Sequence, residues 1–304
     1  MKLNINNETS RLESVIIGIA DDFGGTPIIS EAYDPKSIKH IREGTYPKEE
    51  SMVGELKTVN DILKNYYVRV YHPTNLKNVN QIFTRDVGFV IEDKFIKSNM
   101  ISNRTDELLG IEFLIEKIYP ENIITIDSPD IKIEGGDIIL YEDHIFIGTY
   151  KGKDFKNCIT ARTNQNAVLF IRELFPQKIV KEIDLNKSMT NSKKNALHLD
   201  CCFQPVSNNK AIIHKEVFRN ESDYQYLVEL FGIENLFHID SNEMLEMYTN
   251  ILSIDKNVVI SDKKFTRLNN WFRKLDIVVE EVCYSEIGKQ NGLIRCSTLP
   301  LCRN

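Results

Sequence analysis

Gly135-Gly136-Asp137-Ile138-Ile139-Leu140-Tyr141, Glu142-Asp143-His144 and Ile145-Phe146-Ile147-Gly148-Thr149 follow one another without a break. Two β-prone apolar runs flank a three-residue polar turn, which predicts a β-hairpin. The pattern recurs three times. RDVGFVI–EDK–FIKSN runs from Arg85 to Asn99, LDCCFQPV–SNN–KAIIHK from Leu199 to Lys215, and ILSI–DKN–VVISDKKF from Ile251 to Phe265. Segments with helical spacing lie between the hairpins. TDELLGIEFLIEKIYP puts Leu108, Ile111, Leu114 and Ile115 on one face, and QNAVLFIRELFP does the same with Val168, Ile171 and Leu174. SDYQYLVELFG and FTRLNNWFRKLD supply two more. Near the start, SVIIGIA (Ser14 to Ala20) reads as a buried strand, the stretch Pro47 to Tyr66 as a helix opened by its proline, and VRVYHP as a returning strand. A strand–hairpin–helix unit thus appears about five times, at intervals of roughly 45–65 residues, within the range of repeat architectures. The reading is one α/β domain over residues 1–304, with no linker dividing it.

Composition narrows the function. The 304 residues are 42% apolar, 27% charged and 9% aromatic, which excludes fibrous and disordered chains. Lys+Arg at 38 against Asp+Glu at 44 gives a net charge of −6, so nothing draws the chain to nucleic acid or an anionic membrane. No secretory leader or spanning run is visible, and six cysteines without paired CxxC spacing make neither a disulfide framework nor a zinc site. Free thiols in a cytoplasmic protein are expected. Four thiols (Cys158, Cys201, Cys202, Cys283) read as buried fillers, with Asp200 and Cys202 on one face of a strand and Cys201 on the other. Cys302 reads as a tail thiol, and His40, His72, His144, His214 and His238 as surface groups.

Four segments are too polar for the strand ends they occupy: Phe83-Thr84-Arg85-Asp86, Glu134-Gly135-Gly136-Asp137, His198-Leu199-Asp200, and Asn291 through Thr298 with Cys296 inside it. Charge against an apolar strand is costly unless paired or hydrogen-bonded. The set gathers several carboxylates around one histidine and one cysteine, with no metal-ligand spacing. Excess carboxylate suits a planar cation, and a Cys–His pair suits covalent attack on an electrophilic carbon. Thiolate attack on a guanidinium carbon satisfies both.

These segments, in this order, resemble the guanidino-group-modifying enzymes: arginine deiminases, dimethylarginine dimethylaminohydrolases and arginine amidinotransferases. SVIIGIAD is similar to the amidinotransferases, EGGDIIL…IFIG…ARTNQ to the dimethylarginine hydrolases, and FTRD and HLD to the deiminases. The resemblance implies the pentein fold, a fivefold pseudosymmetric α/β propeller. It also implies Cys296 as nucleophile, His198 as general acid and base, Glu134 holding His198, and Asp86 and Asp200 gripping the guanidinium. Arg162 and Arg104 would pair with a substrate carboxylate, for which the planar guanidinium fork is suited. The implied partner is a small guanidino substrate, with no cofactor and no metal; a homodimer is compatible.

The sequence also departs from the family. Asn291 stands where deiminases commonly carry an arginine, the deiminases' helical insertion ahead of FTRD is absent, and YKGKDFKNCIT lengthens the loop after IFIG into a lid or an enlarged rim. Two catalytic readings result: a hydrolase giving a ureido product plus ammonia or an alkylamine, and, as the alternative, an amidinotransferase passing the amidine to an amine. A catalytically idle binding module is the third.

Overall fold

The computed structural model describes residues 1–304. In chain order, β1 (Leu12–Ile17) leads through α1 (Pro35–Arg42) and α2 (Glu49–Asn65) to β2 (Arg69–Tyr71). The one-turn α3 (Thr84–Val87) runs into β3 (Gly88–Ile91), which turns back as β4 (Lys94–Lys97), and α4 (Glu112–Ile115) then leads to β5 (Ile123–Ile124). Three further modules repeat the plan. They are β6 (Ile138–Tyr141), β7 (His144–Thr149), α5 (Gln165–Leu174) and β8 (Ile179–Asp184); β9 (Phe203–Val206), β10 (Lys210–Ile213), α6 (Glu221–Phe231) and β11 (Leu236–His238); and, after α7 (Ser241–Leu245), β12 (Leu252–Asp255), β13 (Val258–Asp262), α8 (Thr266–Lys274) and β14 (Val278–Val282). The chain ends on β15 (Thr298–Arg303).

Five three-stranded sheets result, all with one plan: an antiparallel pair, then a helical crossover to a third strand parallel to the middle one. All four hairpins read from the sequence are present; in the second, Ile138 faces Ile147 and Tyr141 faces His144. The fifth sheet has no local hairpin. It is built from both ends of the chain, β15 pairing antiparallel with β1, and β1 pairing parallel with β2. Closure between first and last strands leaves the ring without an open module.

Local chemistry sets the helix boundaries. The Asn164 side chain accepts from the Ala167 N–H to start α5, Asp240 and Glu243 form a capping box on α7, and Gly232, at φ +80°, stops α6. The crossover helices bury one face each: Met52, Leu56, Val59 and Leu63 on α2, and Leu268 and Phe272 on α8. Each such side chain contributes about 1.5–3 kcal/mol on burial.

Several local expectations need correction. The long helix read from Thr105 to Pro120 is mainly 3-10 backbone over Ser102–Ile111, followed by the single α turn of α4. The polar, glycine-containing front half supports a tighter path in which Arg104 and Glu107 are brought together. Pro47 precedes the Lys48 cap of α2 instead of lying in its first turn. Residues Leu199–Cys201 form a 3-10 turn, so strand alternation does not apply to Asp200, Cys201 and Cys202. His144 and His214 are buried, each bonded through a ring nitrogen to Tyr226 and to the Ile239 carbonyl respectively. Cys283 is exposed, while Cys302 is buried within β15 and bonds Glu13.

Candidate active site

Each module delivers its polar residues at the same place, just ahead of its first strand. Asp86 lies on α3, ahead of β3. Glu134 caps a 3-10 turn over Gly135–Asp137 that feeds β6, and His198 caps the equivalent turn over Leu199–Cys201 that feeds β9. Asn250 precedes β12, and Cys296 precedes β15. Pseudosymmetry thus collects one short turn from each of several modules around the ring axis. Cys296, His198, Glu134, Asp86 and Asp200 are all at most 3% exposed.

The cluster is tightly bonded. His198 Nε2 lies 2.8 Å from Glu134 Oε2, and its Nδ1 lies 3.7 Å from Asp86 Oδ1. The Gly136 N–H donates to Asp86 Oδ1 at 3.1 Å. Cys296 Sγ sits 3.7 Å from Asp200 Oδ2, and Cys201 Sγ 3.8 Å from Asp200 Oδ1, so one carboxylate faces two thiols. The second oxygen of Asp200 also accepts from Arg295 at 2.8 Å. Cys296 and His198 share no hydrogen bond; Asp86 is the charge both feel.

Arg162 and Arg104 are engaged within the protein. Arg162 donates to Glu134 at 3.0 Å, to the Ile159 carbonyl at 2.7 Å and to the Tyr33 carbonyl at 3.2 Å. Ile159 belongs to the lengthened loop after β7, which therefore wraps this guanidinium. Arg104 pairs with both oxygens of Glu107 at 2.7 Å, with Asp86 at 2.7 Å, and lies 3.5 Å from Glu134. The Tyr33 ring lies 5.9 Å from the Arg104 guanidinium carbon and 5.3 Å from that of Arg162. Asp86, Glu134 and His198 bring ligand atoms within 4.8 Å of one another, a spacing suited to positive charge, and the two arginines supply it.

Electrostatics follow from this arrangement. Burial opposes a charged His198, but Asp86, the Glu134 hydrogen bond and Asp137 outweigh it and raise the imidazole above its ordinary value. Burial likewise opposes a charged Glu134, yet Arg162, His198 and Arg104 hold its carboxyl below the usual range. The Cys296 thiol is pushed up by burial first, then by Asp200 and Asp86; the Asn250 hydrogen bond works the other way.

Asn250 is the residue that sequence reading missed. Its Nδ2 donates to Cys296 Sγ at 3.1 Å, while its Oδ1 accepts from the N–H groups of Cys296 at 3.0 Å and Leu293 at 3.1 Å. The signal was positional: Asn250 stands ahead of ILSI as Asp86 stands ahead of GFVI. Arg295, adjacent to the thiol, was also missed. Its guanidinium is fully buried between Asp200 and Glu8, each under 3 Å away.

A cleft of about 460 Å³ leads in from outside, walled by Phe23, Tyr33, Tyr46 and Phe83. The Arg104–Glu107 pair also lines it, and Arg104 links it to the cluster by donating to Asp86 at 2.7 Å.

Fivefold pseudosymmetry and a Cys–His–carboxylate cluster at the axis define a pentein of the guanidino-group-modifying class. The family described as N,N dimethylarginine dimethylhydrolase, eukaryotic, matches residues 31–303, and the chain belongs to it. It is 30% identical over 224 residues to "Uncharacterized protein YkgA" of Bacillus subtilis (strain 168), covering 73% of this chain and 70% of that one. Among solved structures, inosamine-phosphate amidinotransferase StrB1 from Streptomyces griseus shares the fold at a TM-score of 0.78 and 13% identity, over 99% of this chain and 97% of that one. The N-terminal domain of ArgZ, a cyanobacterial arginine dihydrolase, does so at 0.79 and 16% identity, over 95% and 98%; there a cysteine-to-serine mutant is bound to substrate. SxtG, an amidinotransferase from Microseira wollei, follows at 0.74 and 16% identity, over 99% and 97%.

Proposed function

We propose that the chain is a guanidino-group hydrolase working through a covalent Cys296 thiouronium. The observation that carries this reading is the convergence of Cys296, His198, Glu134, Asp86 and Asp200, from four modules, in one buried cluster. Asp200, 3.7 Å from the sulfur, and Asp86, whose charge also acts on it, come from two modules and retain acceptor capacity beyond their protein bonds, as a guanidinium held by both requires. Burial first, and then the negative charge of Asp200 and Asp86, raises the free thiol; an incoming cation offsets the charge and so favours the thiolate.

In the first step the thiolate forms a C–S bond to the guanidinium carbon. His198, held protonated by its acids, gives its proton to one nitrogen; that C–N bond breaks and ammonia or an alkylamine leaves. In the second step neutral His198 takes a proton from water as the oxygen attacks the same carbon. The C–S bond breaks with its electron pair returning to sulfur as thiolate, the remaining hydroxyl proton passes to solvent, and a neutral ureido product departs. Cys296 is 3% exposed, and water, the smaller acceptor, reaches such a site with less rearrangement than an amine does.

The test is product analysis with arginine, methylated arginines and agmatine, in the presence and absence of glycine or ornithine as acceptors. A ureido product, a mass-shifted Cys296 peptide on rapid quench, and loss of at least ~1,000-fold in C296A are expected. Turnover that survives C296A would falsify the mechanism. A new guanidine formed in place of the ureido compound would move the assignment to amidino transfer.

A further inference from the structure

Resting on the proposed activity, we infer that Arg295 and Glu8 are positioning residues of the reaction: Arg295 holds the Asp200 carboxylate charged and aimed for the guanidinium, and Glu8 braces Arg295 from behind. Asp200 is wholly buried, and a carboxylate so placed gives up its charge unless a cation and hydrogen bonds compensate. The neighbouring acids are served separately, Asp86 by Arg104 and Glu134 by Arg162. For Asp200 the one cation in ion-pair contact is Arg295, whose Nη1 donates to Oδ2 at 2.8 Å. That same oxygen lies 3.7 Å from the Cys296 sulfur. Arg295 and Cys296 are consecutive, so the guanidinium that fixes Asp200 and the thiol that Asp200 faces hang from one turn of backbone, closed by the Ser297 N–H on the Leu293 carbonyl.

Arg295 is itself locked. It is fully buried, and its Nη2 donates to Glu8 Oε1 at 2.9 Å and to the Ile138 carbonyl at 2.9 Å. Carboxylates on two sides of a planar fork leave the guanidinium one orientation, which a lysine ammonium does not keep. Glu8 comes from the segment ahead of β1, where the Asn7 side chain accepts from the Thr9 and Ser10 N–H groups and Ile5 bridges to Glu92. Burial opposes its charge, but Arg295, and then Arg85 and Arg303, bring its carboxyl down to about 2. The brace is therefore charged at neutral pH. A buried ion pair made only for stability is often replaceable by apolar side chains. This one ends on an acid assigned to grip substrate, so its loss is read in binding. The N-terminal arm thus reaches the reacting centre through one side chain, 287 residues away in sequence.

The experiment is calorimetric binding of arginine and of agmatine from about pH 6 to about pH 9, to C296A and to C296A carrying R295Q, R295K, E8A, D200N, R295Q/D200N or E8A/D200N. Without its cation the Asp200 carboxyl takes up a proton, so R295Q is expected to weaken binding at least ~10-fold at the acid end and to regain affinity as pH rises. R295K restores a charge and removes the new pH dependence, while binding more weakly than the parent because an ammonium cannot span both acids. E8A weakens binding at every pH. Once Asp200 is replaced by asparagine, neither R295Q nor E8A has a carboxylate left to position, and neither adds to the loss. A thermal melt checks that each variant folds; where R295Q does not, E8A against D200N gives the same reading. A loss in R295Q that is equal at every pH, or losses that add in full to that of D200N, make these residues structural and overturn the inference, with the hydrolase left standing. Failure of C296A to bind either guanidine brings down both.

Discussion

Asn250 holds the sulfur through three hydrogen bonds, one to Sγ and two to nearby backbone N–H groups. Replacing it with alanine removes the donor that favours thiolate and strands two buried N–H groups. At about 1.5–3 kcal/mol for a hydrogen bond to a charged group, the ascending limb of kcat/KM against pH moves upward by roughly one to two pH units. Asn250→Asp keeps the backbone acceptor, loses the donor and adds a negative charge beside the sulfur, so it shows a larger upward movement with less loss of thermal stability. His198 gives a second pH prediction. Its native pKa is raised, so its stabilising contribution is fully present below the unfolded value of about 6.5 and disappears as pH rises through the native value. The melting temperature of the wild type relative to His198→Gln should therefore be more favourable near pH 6 than near pH 9. A difference that grows with pH would contradict the assignment of the imidazolium.

At this scale the sequence was most informative where a polar residue abuts an apolar strand. Cys296, His198, Glu134, Asp86 and Asp200 each stand in that position, because burying them without partners would be prohibitive. Through-space partnerships left less trace. Arg295 meets Glu8 across 287 residues of chain, and no spacing encodes that contact. Arg104 and Glu107 are three residues apart, so their pairing was open to reading in principle; an expected α-helix over 105–120 obscured it.

Among elements, the short turns ahead of β3, β6 and β9 matter more than any helix. They approach one another closely enough that glycine is required: a Cβ on Gly136 would lie 2.7 Å from the His198 ring and 2.8 Å from Asp86 Oδ1. Gly136→Ala must push the imidazole or the carboxylate aside. We expect turnover to fall by at least ~10-fold, with destabilisation of about 1–3 kcal/mol in denaturant unfolding. Near-normal activity would mean that the His198–Asp86 geometry is not needed. Hairpins were legible because continuous β-prone apolar runs and turn clusters are local signals. The 3-10 turns were not, since three polar residues ahead of a strand look the same whether extended or coiled.

For the whole molecule, the decisive contact joins the chain's ends. Asn4 N–H donates to the Leu301 carbonyl at 3.0 Å, and Lys2 Nζ lies 3.3 Å from Asn304 Oδ1. A circular permutant with these ends linked, and with new termini opened between Lys256 and Asn257 in the β12–β13 turn, should fold and retain activity within about tenfold. Deleting residues 298–304 removes β1's antiparallel partner and should abolish both cooperative melting and turnover. Four modules could be read from the sequence because each hairpin is local. Of the fifth, the first strand, the helix and the returning strand were legible near the start, but not that β15, almost 300 residues further on, completes their sheet.

Cys296 is also two residues ahead of β15, the last strand in the chain. Synthesis therefore delivers the acids and the imidazole before the sulfur. On the mechanism proposed above, chemistry waits for this strand to dock beside β1, so one pairing event completes the ring and sets Cys296 in place, and a chain clipped ahead of β15 loses fold and reactivity together.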